Sequence, residues 1–316
     1  MSVPNTAKRI LVVGGNGFLG SAVCRMALAK GMEVTSVSSS GQPWRTPKGH
    51  TPAWVKRVEW RKADVLADKR GELQEVLASS PPYGAVVHTL GTLLEGGEYK
   101  QSVRDSNPLA LVKNLFPGSR NPLKRDSRWS YETMNKQSGK SLNVLSDTLS
   151  TRKPKPEDKF AFVFASAEDI FRPLIPEGYI ASKRAAEREI EATISRENAP
   201  VRSVFARPSF MYHPHWRPLS TPPAALLDLF VNLERGAPKG IPTPASILRS
   251  LASPDLPSAL ASVANALTIP PMHVDHVAEA IVRAIQDESV KGPLDVVHMR
   301  ELIGWSLKGA DPAHAL

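Results

Sequence analysis

Nine residues near the start of the chain, Val12 to Gly20, read VVGGNGFLG. The run RILVV that leads into them is apolar and β-branched. The stretch FLGSAVCRMALAKG that follows has helical periodicity and closes on Gly31. A strand that turns through Gly14, Gly17 and Gly20 straight into a helix leaves few folds open. The first glycine permits the tight turn, the second lets backbone approach a phosphate, and the third lets helix pack on strand. The helix start then offers unbonded N–H groups and the positive end of the helix dipole. Gly14, Gly17, Phe18, Leu19 and Gly20 are therefore the expected contacts of a dinucleotide pyrophosphate.

The rest of the chain repeats that alternation. EVTSVS, VEWRKAD, GAVVHTLG, KFAFVFASA and VRSVFARP read as five further strands, with KRGELQEVLAS and YIASKRAAEREIEATISRE as helices between them. The pattern predicts an α/β fold: a Rossmann-type, doubly wound parallel sheet with a small C-terminal substrate or cap region. The expected division is a dinucleotide-binding domain over 1–210, a cap or partner region over 211–272, and a return to the core over 273–316. A polar segment over about 93–128 interrupts the repeat as an insertion, and Thr151 to Lys159 reads as a charged, Pro-rich linker. In the cap region AALLDLFVNLER is amphipathic, with Leu226, Phe230 and Leu233 on one face, suited to cap a pocket or dock a partner.

Charge and cysteine content narrow the function classes. The 316 residues carry 40 Lys and Arg against 31 Asp and Glu, a net charge of +9. That excess suits an anionic ligand, membrane surface or acidic partner. No dense basic run with interleaved aromatics occurs, so nucleic acid is not expected. The single cysteine, Cys24, excludes an intrachain disulfide and fits a reducing compartment. Its helical apolar setting reads as a small buried hydrophobe rather than a reactive thiol. The N-terminus has neither a secretory apolar region nor a long Arg-rich presequence, and no 18-residue apolar run predicts a spanning helix. Leu256 to Met272 is uncharged but holds three prolines, and reads as core or a surface groove. His213 and His215, and His273 and His276, stand without carboxylates or cysteines at ligand spacing. No metal site is expected from them.

The end of the second strand bears on the cofactor. NAD binders place Asp or Glu there for the adenosine ribose. Here Ser38, Ser39 and Ser40 stand instead, and Arg45 and Lys48 follow. With no carboxylate to repel a 2′-phosphate and two cations to neutralise it, NADP is favoured and NAD is the alternative. In KADV, Asp64 suits either the adenine amino group or a cap on the next helix.

Tyr179 and Lys183 are i and i+4 in the long helix and share a face. A nearby ammonium stabilises a phenolate and makes a phenol usable as an acid or base at neutral pH. Ser166, at the end of the fifth strand, sits where parallel strands line a ligand crevice and can orient a carbonyl oxygen. The plain alternative is a solvated helix face, on which Lys183 and Glu187 form an ordinary i,i+4 pair.

Together GGNGFLG, SVSSSG, ADV, VVHTLG, YETMNKQS, the order Ser166–Tyr179–Lys183, ARPSFMY and PMHVDHVAEAI resemble the atypical or extended short-chain dehydrogenase/reductase superfamily. The likeness runs to about residue 290. It is strongest to the fungal mitochondrial branch associated with the coenzyme Q biosynthesis complex, and a wider relative is the NAD(P)-binding accessory subunit of respiratory complex I. The resemblance implies Ser166, Tyr179, Lys183 and Asn135 as catalytic residues. It implies Asp64, Val65, His88 and Pro208 beside the glycine loop as cofactor contacts, with Arg207 next to Pro208 on the nicotinamide side. It also implies residence in mitochondria on the matrix side of the inner membrane, a quinone-biosynthesis complex as partner, and peripheral contact with that membrane. Two functions stand open on that ground: an NAD(P)-dependent oxidoreductase acting in or regulating ubiquinone biosynthesis, and a non-catalytic dinucleotide-binding subunit of a mitochondrial inner-membrane complex. The insertion over 93–128 departs from the superfamily's layout, so an ordinary member's substrate does not carry over.

Overall fold

The run before the glycines becomes the middle of the sheet, and Ile10, Leu11 and Val12 have no exposed surface at all. The computed structural model describes residues 9–65, 70–79, 82–90, 142–151, 160–170, 172, 177–238, 240–252 and 259–305. Asn135, the insertion over 93–128 and nearly all of the linker at 151–159 lie outside these residues. In chain order the strands are β1 (Arg9–Val13), β2 (Glu33–Ser38), β3 (Val58–Lys62), β4 (Ala85–His88), β5 (Phe160–Ala165), β6 (Val201–Ala206), β7 (Met211–Tyr212), β8 (Met272–His273) and β9 (Gly292–Leu294). The helices are α1 (Phe18–Ala29), α2 (Arg70–Ser79), α3 (142–151), α4 (Glu177–Arg196), α5 (Thr221–Gly236), α6 (Pro244–Leu251), α7 (Ala259–Thr268), α8 (Val274–Gln286) and α9 (Val296–Leu302).

Seven strands pair in the order β3-β2-β1-β4-β5-β6-β9, every pair parallel. The order reverses between β1 and β4, and in such sheets the ligand crevice opens at the carboxyl ends beside that switch. Alternate residues serve two cores. Ile10, Val12, Val87 and Val163 meet α1, α8 and α9 on one face, while Leu11, Val86, Phe162 and Phe164 meet α2, α3 and α4 on the other. Burial on both faces explains why these strands read as continuous apolar runs.

The sheet has one strand more than the sequence pattern predicts. β9 is only Gly-Pro-Leu; proline cannot donate a ladder bond and is tolerated at an edge, where this strand lies. The amphipathic stretch of the cap region forms α5. Its buried side chains are Ala224 and Val231, and it packs on α7, whose Ala264 and Ala266 are buried. Small residues let these helices approach closely. The predicted apolar face is left outside, with Leu226 53%, Phe230 39% and Leu233 62% exposed. Among the described residues no helix is long and apolar enough to cross a membrane.

Candidate functional site

The glycine loop is built by sterics. Gly14 has φ +87°, where side chains are strained, and its N–H donates to Val37 O at 2.8 Å. A Cβ on Gly20 would lie 2.2 Å from Gly14 O, so helix α1 could not seat on the turn. Gly15, which the sequence reading passed over, is equally constrained: its Cβ would lie 2.2 Å from Ser36 Oγ. Gly17 differs, since its Cβ would meet only Gly14 O at 3.1 Å. Gly17 is also the N-cap of α1, which has no side-chain cap and no acidic residue in its first turn. The helix start at the exposed Gly17, beside Phe18, Leu19 and Gly20, therefore offers donors with no side-chain cap and no acid in the first turn, which suits an anion such as a dinucleotide phosphate.

On the adenosine side the serines form a small hydrogen-bonded platform. Ser38 Oγ accepts from Gly41 N–H at 3.1 Å, and Asn16 of the glycine loop donates to Ser40 Oγ at 3.2 Å. Ser39, Arg45 and Lys48 are exposed, while Trp44 between them is buried against Trp54 and Trp216. The buried Trp44 anchors the loop that presents Arg45. Asp64 donates its backbone N–H to Glu72 of α2 at 2.8 Å, and Val65 packs on the α2–α4 core.

Helix α4 does put Tyr179 and Lys183 on one face, but that face is buried, at 6% and 4% exposure. Lys183 Nζ donates to Ala165 O at 2.8 Å and lies 4.6 Å from the Phe164 ring centroid and 6.0 Å from that of Tyr179. Burial lowers the Lys183 pKa to about 8, with the Glu187 carboxylate opposing the shift. Burial raises the Tyr179 phenol to about 12. The expected lowering of the phenol by Lys183 is therefore not what this arrangement produces, because the ammonium is committed to a strand carbonyl and desolvation of the phenol dominates.

Ser166 continues β5, with its N–H on Ala206 O at 2.7 Å, but its hydroxyl joins an ion network. Arg184 donates to Ser166 Oγ at 3.2 Å and to Glu187 Oε1 at 2.7 Å. Arg207 holds the same carboxylate through Nε at 3.1 Å and through Nη2. Burial alone would raise the Glu187 pKa; the Arg207 and Ser166 hydrogen bonds and the charges of Arg184 and Arg207 outweigh it and leave it lowered. Glu187 is thus not a surface partner of Lys183. It is a buried carboxylate, 4% exposed, bonded to two arginines. Pro208 is buried and its carbonyl accepts from Glu168 N–H at 2.9 Å. The i,i+4 spacing pointed to Lys183 as the partner of Glu187; Arg184 and Arg207 carried no such signal and were missed.

His88 closes β4 with its ring 2% exposed and 5.6 Å from Phe164. Among the described residues neither ring nitrogen has a hydrogen-bond partner, and burial, reinforced by the charge of Lys183, lowers its pKa to about 3. It stands as a neutral core histidine in register with Val13 and Phe164.

The histidines do not stand apart from carboxylates, as their spacing suggested. Pairing of β7 with β8 brings His213 beside His273 and Asp275, with ligand atoms within 4.8 Å of one another. The rings, however, are already used. His213 Nδ1 accepts the N–H groups of His215 and Trp216, both at 3.1 Å, and His273 Nδ1 accepts that of Asp275 at 3.2 Å. An accepting Nδ1 puts the proton of a neutral ring on Nε2, which makes that atom a donor. Asp275 is also ion-paired to Arg25. These bonds make the group a structural clasp between the β7 and β8 segments.

Comparisons with known proteins agree with this fold. A family model described as the NAD dependent epimerase/dehydratase family matches residues 10–113. The chain is 38% identical over 217 residues to MIOREX complex component 2 of Saccharomyces cerevisiae, covering 66% of this chain and 74% of that one. It is 26% identical over 302 residues to an uncharacterised chloroplastic protein of Arabidopsis thaliana, covering 93% and 77% respectively. Among solved structures, a gluconate 5-dehydrogenase from Burkholderia cenocepacia, in complex with NADP and tartrate, superposes with TM-score 0.55 at 14% identity, covering 90% of this chain and 91% of that one. An oxidoreductase of the short-chain dehydrogenase/reductase family from Burkholderia thailandensis gives 0.53 at 16%, covering 95% and 98%. At these identities the two structures speak for the fold.

Proposed function

We propose, for a chain that belongs to the NAD-dependent epimerase/dehydratase family of short-chain dehydrogenase-type proteins and is close to the fungal MIOREX complex component 2, that it is an NAD(P)-dependent oxidoreductase acting in or regulating ubiquinone biosynthesis. The observation that carries the dinucleotide part is the uncapped start of α1 behind a turn in which Gly14, Gly15 and Gly20 are buried and Gly17 is exposed. NADP is the preferred cofactor, because no acid stands at the end of β2 and Arg45 and Lys48 are exposed beside it. The nicotinamide, when bound, supplies or accepts the hydride. Tyr179 exchanges a proton with the substrate oxygen at its phenol. Lys183 acts by exchanging the Ala165 carbonyl for the phenol, whose pKa its charge then lowers. Ser166 orients the substrate oxygen, and the family likeness adds Asn135 as a fourth catalytic residue.

The quinone pathway, a mitochondrial complex as partner and a place on the matrix side of the inner membrane rest on the likeness to the fungal branch. Supporting an assembled state, Leu226, Leu229, Phe230, Leu233 and Leu251 are all exposed in the region after β6. The second reading, a dinucleotide-binding subunit without turnover, is favoured by one observation: Lys183 and Tyr179 are buried with the ammonium on a carbonyl and the phenol raised to about 12.

The test uses the full chain, NADPH and NADH titrations, and turnover with carbonyl precursors of the quinone head. The oxidoreductase reading expects tighter NADPH binding and a Tyr179→Phe variant that binds equally but turns over at least about 100-fold more slowly. Binding without turnover in the wild type selects the subunit reading. Binding of neither nucleotide overturns both.

A further inference from the structure

Ten large apolar side chains are exposed among the described residues, and eight of them lie between Leu226 and Leu260. That stretch holds α5, α6 and α7. Helix α7 packs on the other two, and Glu234 of α5 accepts the Ala245 N–H at the start of α6 at 2.9 Å. Helix α5 carries two apolar stripes. Ala224 and Val231 bury one of them. Leu226, Leu229, Phe230 and Leu233 form the other, about 130° around the helix from the first, and it is exposed. Four such residues at helical spacing are what a helix ordinarily turns to a core. Helix α6 repeats the arrangement: Ala245 is buried, while Ile247 and Leu251, four residues apart, are exposed. The eight side chains leave on the order of 700 Å² uncovered, more than a lone chain usually exposes and close to the roughly 800 Å² that each partner brings to a stable interface.

Charge and symmetry select the occupant of this face. Residues 221–268 hold Arg235, Lys239 and Arg249 against Asp228, Glu234 and Asp255, three of each sign, in a chain of net charge +9. Two copies of the chain therefore repel least where these neutral segments meet. A lipid surface is a poorer match, because a helix lying on a membrane backs its apolar face with Lys and Arg. The far side of α5 carries Asp228 as well as Arg235. The stripe is also symmetric about its midpoint, Leu226-x-x-Leu229-Phe230-x-x-Leu233. A two-fold axis between Leu229 and Phe230 sets Leu226 against the partner's Leu233 and Leu229 against the partner's Phe230. That reciprocal pairing is what an isologous dimer requires. We propose that α5 is the seam of a homodimer, with two copies packed antiparallel along Leu226–Leu233 and α6 widening the contact. The proposal stands apart from the dinucleotide reading, which needs no second copy.

The experiment is sedimentation equilibrium of the full chain between about 1 and 100 μM, the range in which an interface of this size associates. The wild type is expected to reach twice the chain mass. Leu226→Lys and Leu233→Glu are each expected to weaken dimerisation at least about 100-fold, since each buries an unpaired charge in the seam twice over. The double variant Leu226→Lys/Leu233→Glu is the decisive arm. In the antiparallel register each new lysine faces a partner's new glutamate, so dimerisation recovers. All four positions are exposed, so the variants are expected to keep the wild-type circular dichroism and melting temperature. A monomeric wild type at 100 μM overturns the proposal. So does a dimer that both single variants leave intact, which places the interface elsewhere, or a double variant that stays monomeric, which excludes this register. A wild type that stays monomeric but sediments with phosphatidylcholine–phosphatidylserine vesicles assigns the face to lipid and overturns it too. NADPH titration of the same samples reads the dinucleotide proposal separately, whatever the mass.

Discussion

Lys183 is an ammonium held where a hydrocarbon would be more stable. It is 4% exposed, and burial lowers its pKa from 10.5 to about 8. At pH 7 the folded protein therefore carries a penalty of about 3 kcal/mol for keeping that charge. Lys183→Met replaces it with an unbranched apolar side chain of similar length. The change leaves Ala165 O without its donor, which costs about 1–2 kcal/mol. The variant is expected to be more stable than the wild type at pH 7 by about 1–2 kcal/mol. The pH dependence identifies the cause. With a folded pKa below the unfolded value, the unfolded chain binds more protons between pH 8 and 10.5, so wild-type stability rises through that window. The methionine variant lacks that slope, and its advantage shrinks by about 2 kcal/mol from pH 7 to 9.5. Urea unfolding followed by tryptophan fluorescence at both pH values measures it. A variant less stable at pH 7, or an advantage that does not change with pH, would refute the reasoning. A residue retained against stability in this way is the kind that function selects.

Two glycine substitutions separate packing from ligand approach. Gly20→Ala puts a methyl 2.2 Å from Gly14 O and is expected to lower the melting temperature sharply or abolish soluble protein. Gly17→Ala meets only Gly14 O at 3.1 Å and is expected to keep the fold and lose NADPH binding. Equal melting losses in both variants would remove the distinction. Glu187→Gln leaves Arg184 and Arg207 without their carboxylate and is expected to destabilise by about 3 kcal/mol at pH 7. Because the folded pKa of Glu187 lies below 4.5, its contribution is present above that value and disappears as pH falls through the depressed one. Chemical-denaturation stabilities of wild type and variant should converge in acid; a gap that persists there contradicts the assignment.

What could be read from residues alone was whatever neighbours in sequence decide. The turn, the close approach and the helix start of VVGGNGFLG are demands made within nine residues. The apolar runs of β1, β4 and β5 are legible because each strand is buried on both faces. The shared face of Tyr179 and Lys183 follows from helical spacing, and the missing acid after β2 from the residues themselves.

Other features depended on partners that sequence spacing does not reveal. The Lys183 ammonium takes a carbonyl 18 residues earlier, and the Glu187 carboxylate an arginine 20 residues later, because β5, β6 and α4 meet in space. β9 has too few residues to show a period, and its pairing with β6 makes it a strand. The outward turn of Leu226, Phe230 and Leu233 was set by the small residues where α5 packs on α7, not by the amphipathic pattern. The pairing of β7 with β8 gathered His213, His273 and Asp275, and the clasp it anchors set Arg217 against Phe18. Periodicity and turn chemistry act over one or two turns of chain. Where a buried charge finds its counterpart is decided by register and packing between elements far apart in sequence, and that is where the tertiary structure alone carries the information.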